Sequence, residues 1–217
     1  MLALTFSTGV VDAVGYLGLD RVFTGNMTGN VVILGMALTG ADDLPIVGPI
    51  LALVGFVLGA MLAGTWLRTA APGWGRRATW LLGVVALLIV GALIPVVVTA
   101  EPYPTAAMLT VTGILGAAMG MQAGVARHLG VADVTTVVVT STLVGLAFDS
   151  WLGRRNGQKW LRRLLAIVLI ALGALTGAAL LRLHLGYGIG LAAAITIAVA
   201  ILGHVGTPGR SEPEPAA

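Results

Sequence analysis

The sequence predicts an all-α integral membrane protein with six transmembrane helices and two short broken or re-entrant segments, arranged as two inverted repeats. Three observations support this fold class: the chain is strongly apolar, six of its segments are long enough to cross a bilayer, and its basic residues gather in a few loops. We expect a single transmembrane domain over residues 1–206, followed by a disordered cytoplasmic tail over residues 207–217.

The composition excludes an ordinary soluble domain. Of the 217 residues, 58% are hydrophobic and 10% are charged, whereas about 25% of residues are charged in a typical soluble protein. The chain has no Cys, which excludes disulfides and thiolate chemistry. Its 12 Lys and Arg residues are not interleaved with aromatic residues. We therefore interpret the positive charge as a topology signal and expect no nucleic-acid partner.

Six apolar segments approach or exceed the length of about 20 residues that a helix needs to cross a bilayer. They cover residues 2–19, 46–67, 78–99, 105–126, 161–181 and 186–205. Two further apolar segments do not fit this pattern. Residues 27–39 are too short to span, and residues 134–153 are long enough but begin with the polar, β-branched run "VTTVVVTST".

The positions of the basic residues decide how these two segments are counted. One basic loop contains Arg68, Arg76 and Arg77, and a second contains five basic residues within 154–163. Because the positive-inside rule places both loops in the cytoplasm, an even number of crossings must separate them. Treating both doubtful segments as broken or re-entrant gives six spans, with both termini in the cytoplasm.

An internal repeat relates the two broken segments. A shift of 112 residues aligns "LGLDRVFTGNMTGNVVIL", from Leu17, with "LGVADVTTVVVTSTLVGL", from Leu129, and seven of the 18 positions are identical. Each half, about 1–100 and 101–206, then has three full spans. An odd number of spans inverts the second half, as in transporters whose unwound segments meet near the midplane. Non-helical backbone at that depth must be buried or line a wet cavity, which makes the broken segments the candidate site.

The first broken segment begins with "FTGNMTGN", residues 23–30. Glycine costs about 1 kcal/mol relative to Ala in a helix, and Asn and Thr compete for backbone hydrogen bonds, so a break is expected here. Its carbonyls would attract a cation, and the helix N-terminus near Thr28 would attract an anion. The alternative is a capped extracellular turn with Asn26 or Thr28 as the N-cap.

An acidic residue, Asp12, lies in the middle of the first predicted span. It shares one helical face with Thr5, Thr8 and Tyr16. A charge at this depth costs about 2.5 to 3.5 kcal/mol, so such acids usually face a cavity or a partner. We expect Asp12 to couple a proton or a cation. The alternative is a protonated Asp12 that donates a structural hydrogen bond to a neighbouring helix.

The other candidates are the amide Gln122 and the threonines of the second broken segment. Gln122 could contact substrate or form a hydrogen bond between helices, and the sequence leaves both open. Thr136 and Thr140 repeat Thr24 and Thr28 at the 112-residue shift. The predicted substrate-binding residues are Thr24, Asn26, Thr28, Asn30, Gln122, Thr136 and Thr140.

Glycines at four-residue spacing occur on three of the predicted spans, a pattern that lets membrane helices approach closely. They are Gly55 with Gly59, the series Gly116, Gly120 and Gly124, and Gly173 with Gly177. We expect these glycines to pack helices rather than bind a ligand.

The sequence contains no P-loop, dinucleotide fingerprint, zinc-binding His pair or hydrolytic triad. We therefore expect no enzymatic activity, no metal and no cofactor. The leading hypothesis is a transporter or channel-like protein for an unidentified small solute or ion. The alternative is a membrane-embedded assembly or regulatory subunit whose polar motifs only pack helices. The expected surroundings are a lipid bilayer, and a homo-oligomer is left open.

Two stretches carry a family resemblance: "GVVDAVGYLGLDRVFTGNMTGNVVILG", from Gly9, and "GMQAGVARHLGVADVTTVVVTSTLVGLA", from Gly120. The chain resembles the YoaK family of small bacterial membrane proteins, defined as a domain of unknown function. The resemblance covers nearly the whole chain and implies a multi-span inner-membrane protein with no established substrate. It implies motif positions, without roles, at Asp12, Tyr16, Thr24, Asn26, Met27, Thr28, Gly29, Asn30, Gln122, Thr136 and Thr140.

Overall fold

The structure is a computed structural model that describes residues 1–130, 139–148 and 160–206. Within those ranges the chain forms nine helices: α1 (Leu2–Gly18), α2 (Met27–Ala37), α3 (Val47–Leu67), α4 (Arg76–Gly91), α5 (Leu93–Val98), α6 (Thr105–His128), α7 (Val139–Phe148), α8 (Trp160–Leu181) and α9 (Leu185–Val205). The predicted all-α class is confirmed for these ranges. The predicted disordered tail, residues 207–217, lies outside them.

Five helical stretches of the described chain are long and apolar enough to cross a membrane. They are Val47–Leu67, Arg76–Val98, Thr105–His128, Trp160–Leu181 and Leu185–Val205. These stretches correspond to five of the six predicted spans. Helix α1, with 17 residues, is shorter, so the sixth span stays a prediction.

The two segments that did not fit the span pattern contain the short helices α2 and α7. Helix α2 has 11 residues and is flanked on both sides by non-helical backbone, so it is too short to cross a bilayer, which takes about 20 residues. Helix α7 has 10 residues. The residues around it, among them Thr136, lie outside the described part of the chain.

Large apolar side chains cover the outside of the helical bundle. On α3, Val54, Leu58 and Met61 are each at least half exposed, and α8 is the least enclosed of the five long stretches. Soluble monomers rarely expose contiguous apolar surface of this extent. The bundle therefore has the surface of a protein in a lipid bilayer.

The helical stretch Arg76–Val98 is interrupted near its end. Helix α4 ends at Gly91 and α5 begins at Leu93, although the two form one apolar stretch. Pro95 lies four residues after Gly91; it has no N–H, and its ring clashes with the carbonyl of that residue. The sequence predicted one span over residues 78–99, and in the structure its helix is interrupted at Ala92.

Glycines bring two pairs of helices into backbone contact. Helix α3 packs along α6, and α1 packs along α8. A Cβ at Gly120 would collide with the carbonyl of Phe56, and one at Gly173 would collide with the carbonyl of Phe6. The predicted role of these glycines in close helix packing is confirmed. Helix α2 rests on α3 and α7 rests on α8, which places both short helices against these pairs.

Candidate functional site

The chain between α1 and α2 folds back along α1. Residues 19–26 are not helical, which confirms the break predicted from the glycines and asparagines of residues 23–30. A Cβ at Gly15 would lie 2.5 Å from the carbonyl oxygen of Val22. Only glycine therefore allows the returning chain to approach α1 this closely, and the approach brings residues 24–26 beside Asp12.

The carboxylate of Asp12 holds this returning loop. Its Oδ1 atom accepts hydrogen bonds from the backbone N–H groups of Thr24 at 3.0 Å, Gly25 at 2.7 Å and Asn26 at 3.3 Å. Gly25 is needed at the centre because a Cβ there would lie 2.9 Å from Cγ2 of Thr8. Asp12 therefore acts as an acceptor for the loop through Oδ1. The alternative, a protonated Asp12 that donates to a neighbouring helix, stays a prediction.

Two asparagines fix the start of α2. Asn30 pairs with both backbone groups of Phe23: Phe23 N–H donates to Oδ1 at 2.9 Å, and Nδ2 donates to the Phe23 carbonyl at 2.6 Å. Asn26 is the N-cap of α2, with Oδ1 accepting from Gly29 N–H at 3.2 Å. The turn is thus a helix break with Asn26 as the N-cap of α2. Whether it lines a site or is an extracellular turn stays a prediction.

Some of the amides around the start of α2 are already paired within the protein. The N–H groups of residues 24–26 point to Asp12, and the N–H of Gly29 is capped by Asn26. A helix N-terminus attracts anions through its unpaired amides. Of the first amides of α2, Gly29 N–H is capped by Asn26 and Asn30 N–H donates to the Asn26 carbonyl. The expectation of an anion site near Thr28 stays a prediction.

A cavity of about 490 Å³ lies between α2 and α7, beside α1 and α8; we call it the α2–α7 cavity. Its polar lining residues are Asp12, Asn26, Thr28 and Thr140. Among the described residues that line it, none is basic. Ligand pockets commonly enclose about 300 to 1,000 Å³, so the cavity is large enough for a small organic molecule.

Two aromatic rings form part of the same wall. Tyr16 and Phe23 stack with ring centroids 4.9 Å apart and an interplanar angle of 24°, and both line the cavity. Tyr16 is one helical turn beyond Asp12, whereas Phe23 is held by Asn30. The rings and the carboxylate therefore lie on the same side of the cavity.

One oxygen of Asp12 is left for a ligand. In the described part of the chain, Oδ2 receives no hydrogen bond, while Oδ1 receives three. The side chain is 9% exposed and belongs to the cavity lining. The loop thus orients the carboxylate, and its second oxygen can bind a proton, a cation or a hydrogen-bond donor.

The structure brings together only part of the predicted site. Asn26, Thr28 and Thr140 line the α2–α7 cavity with Asp12. Thr24, Asn30 and Gln122 are fully buried and are not among the lining residues. Thr136 lies outside the described residues, and whether any of these side chains binds substrate stays a prediction.

Gln122 connects two helices behind the cavity. Its Nε2 donates to Thr8 Oγ1 at 3.2 Å, and that hydroxyl donates to the Leu4 carbonyl at 2.9 Å. Of the two roles that the sequence left open, this geometry matches the hydrogen bond between helices. In the described ranges, the other amide atom, Gln122 Oε1, has no hydrogen-bond partner.

Sequence reasoning missed several residues of the cavity lining. Phe23, Val139 and Ile170 contribute to it, yet none was a candidate. Phe23 could have been noticed because it flanks the break with its ring next to the polar run. Val139 and Ile170 carry no such mark, since an apolar residue in a membrane helix looks the same whether it faces lipid or a cavity.

Comparison with known proteins places the chain in a family. Residues 1–202 match the family described as "Protein of unknown function (DUF1275)". The chain belongs to the DUF1275 family. It is also 32% identical over 184 residues to the UPF0700 transmembrane protein YoaK of Bacillus subtilis (strain 168), a match that covers 79% of this chain and 78% of that relative. The predicted resemblance to the YoaK family is confirmed.

The DUF1275 match supports a membrane protein and assigns no activity. The Bacillus subtilis relative is named as a transmembrane protein, in agreement with the five long apolar stretches of this chain. No solved structure matches the chain. Functional roles for DUF1275 residues must therefore come from the geometry of the site.

Proposed function

We propose that this protein is a transporter or channel-like protein for a small solute, and that the α2–α7 cavity is its binding site. One observation supports this above the others. Asp12 lines a cavity that contains polar side chains and lies between two short helices. Its Oδ1 is held by the loop, and its Oδ2 receives no hydrogen bond from the described residues. Broken helices that meet at a polar cavity are typical of secondary transporters.

The proposed topology has six spans in the bacterial inner membrane and both termini in the cytoplasm. Helix α1 would be the sixth span, because its 17 residues reach the lower end of the range of about 17 to 25 residues seen for membrane helices. This count places the loops with Arg68 and with Arg162 on the cytoplasmic side, as the positive-inside rule requires.

The proposed architecture is a pair of inverted repeats. The 112-residue shift places Met27, the first residue of α2, on Val139, the first residue of α7. The same shift relates α1 to α6 and α3 to α8. Helices α1 and α8 pack together through glycines, and the shift maps this pair onto α6 and α3, which also pack together through glycines. This correspondence in packing supports the repeat independently of the matched letters.

In this proposal Asp12 couples the solute to a proton or a cation. An isolated carboxylate in hydrocarbon is unfavourable, and its ionised form needs a positive partner. A cation or a proton at Oδ2 would supply that partner from the cavity side. Binding would then change the charge next to the loop of residues 24–26, which is held by the same carboxylate and contributes Asn26 to the cavity lining.

Thermal unfolding of the purified protein over a panel of solutes tests the proposal. The panel contains alkali cations, amines, amino acids, sugars and polyols. At least one class should raise the melting temperature, and Thr28→Val and Thr140→Val should reduce that shift because both remove a cavity hydroxyl. Thr65→Val is the matched control, since the Thr65 hydroxyl bonds to the Leu62 carbonyl of its own helix. If no solute shifts the melting temperature, or the two cavity variants respond like the wild type, the binding site is wrong.

The alternative is a membrane-embedded assembly or regulatory subunit. The hydrogen bonds of Asn30 and Gln122 favour it, because these predicted site residues are used to hold the fold. This alternative predicts a stoichiometric partner that co-purifies in mild detergent. It also predicts no solute-dependent shift in the panel described above.

A further inference from the structure

A second cavity lies at the end of the bundle where α3 and α6 both terminate. It encloses about 690 Å³, and we call it the α3–α6 groove. Its walls run along the seam between the two helices, from Phe56 to Arg68 on α3 and from Ala123 to His128 on α6. It shares no lining residue with the α2–α7 cavity.

The open end of the groove is positively charged. Arg68, Arg127 and His128 line it, and none of the described residues that line it is acidic. Both arginines are exposed, and neither has a carboxylate partner within the described ranges. His128 is held in place by the Ala71 carbonyl, 3.2 Å from its Nε2 atom. Three basic side chains thus surround a space to which the described lining residues contribute no acidic group.

The remainder of the groove is apolar. Ala60, Gly64 and Ala123 line it with small side chains, and Phe56 lies at its far end. From Phe56 to Arg68 the helix rises about 18 Å, at about 1.5 Å per residue. At the base of the groove, Gly124 allows α6 to approach α3 closely, because a Cβ at this position would lie 2.5 Å from Cβ of Ala63. The groove therefore combines a basic mouth with an apolar channel about as long as an acyl chain.

We propose that the α3–α6 groove binds one anionic phospholipid, with its phosphate between Arg68 and Arg127 and one acyl chain along α3. Basic pockets between membrane helices bind anionic headgroups at the cytoplasmic side, where the positive-inside rule places this end of the bundle. A free phosphate would use the basic mouth and leave the apolar channel empty. A phospholipid would occupy both the basic mouth and the apolar channel. This site does not depend on the proposed transport function.

Native mass spectrometry of the full-length protein in detergent tests this site. Dioleoyl phosphatidylglycerol is titrated against dioleoyl phosphatidylcholine, which has the same acyl chains and no net charge. We expect preferential binding of one phosphatidylglycerol. The double variant Arg68→Gln/Arg127→Gln should weaken it about tenfold or more, because each basic residue contributes attraction to anionic lipid. Arg182→Gln, which removes an exposed charge outside the groove, should leave it unchanged.

Ala123→Leu separates the lipid from a free anion. It fills the apolar channel without changing the charge, so it should also weaken phosphatidylglycerol binding. Inorganic phosphate at about tenfold molar excess over the lipid should compete poorly. Three results would overturn the proposal. They are equal binding of the two lipids, unchanged binding by the double arginine variant, and full displacement by inorganic phosphate with no effect of Ala123→Leu. The last would identify a phosphate site.

Discussion

Gly25 donates its backbone N–H to Oδ1 of Asp12 at 2.7 Å, the shortest of three hydrogen bonds that the loop before α2 makes to this oxygen. The bond joins the middle of α1 to the chain that follows it. Asp12, an acidic residue in an apolar helix, therefore holds the non-helical loop before α2, and the position of α2 depends on it.

Removing the Asp12 carboxylate should destabilise the protein. Asp12→Ala leaves three N–H groups without an acceptor, two of them buried, so we expect a loss on the order of 3 kcal/mol in the free energy of unfolding. Asp12→Asn keeps an Oδ1 acceptor and should lose less. Thermal unfolding in detergent, followed by tryptophan fluorescence, measures both changes.

The control for this pair is Glu101→Ala, which removes an exposed acid outside the helices and should leave the melting temperature near that of the wild type. If Asp12→Ala unfolds at the wild-type temperature, the carboxylate does not anchor the loop. If Asp12→Asn is as unstable as Asp12→Ala, the negative charge matters more than the acceptor atom.

Asn30 should contribute to stability, whereas Thr28 should not. Asn30→Ala leaves the N–H and carbonyl of Phe23 unpaired, which costs about 1 to 3 kcal/mol for a buried polar group. Thr28 is exposed on the cavity side, so Thr28→Ala should change the unfolding free energy by about 0.5 kcal/mol or less. Denaturant unfolding compares the two; similar losses for both would contradict this assignment.

Alanine substitutions at Gly120 and Gly113 on α6 should have different effects on stability. Gly120→Ala forces a Cβ into the Phe56 backbone of α3, and overpacking of this kind costs about 1 to 3 kcal/mol. Gly113→Ala meets nothing within 4 Å and should be neutral or stabilising by up to about 1 kcal/mol. The melting temperatures of the two variants test this prediction. An unchanged melting temperature for Gly120→Ala would show that α3 and α6 are further apart than in the structure.

Local features of this fold could be predicted from the sequence because their causes are local. The break before α2 and the start of α2 follow from glycine, asparagine and threonine next to one another in residues 23–30. The packing role of Gly120 follows from its four-residue spacing with Gly116, since small residues at that spacing have one structural consequence in a membrane helix.

Features that depend on distant contacts could not be predicted. Gln122 was assigned to the site on its chemistry, but its partner, Thr8, is 114 residues away, and no pattern in the chain links them. Asp12 was recognised as unusual, yet its role as an acceptor depends on the path of the loop. The side of the helix on which Ile170 lies is likewise set by packing and not by periodicity.

The central claim is that the α2–α7 cavity is a wet, polar site, and cysteine accessibility tests it most directly. The chain has no Cys, so Thr28→Cys and Thr140→Cys each introduce a single thiol into the cavity lining. Val31→Cys is the control on α2, because Val31 is 58% exposed but does not line the cavity. A thiol in apolar surroundings stays protonated and reacts slowly.

The measurement is the labelling rate of each variant in membranes by a charged, water-soluble methanethiosulfonate, read by mass spectrometry of the intact protein. We expect Thr28→Cys and Thr140→Cys to react much faster than Val31→Cys, because water reaches the cavity and not the lipid-facing side of α2. Equal, slow labelling of all three variants would contradict a wet cavity and would favour polar motifs that only pack helices.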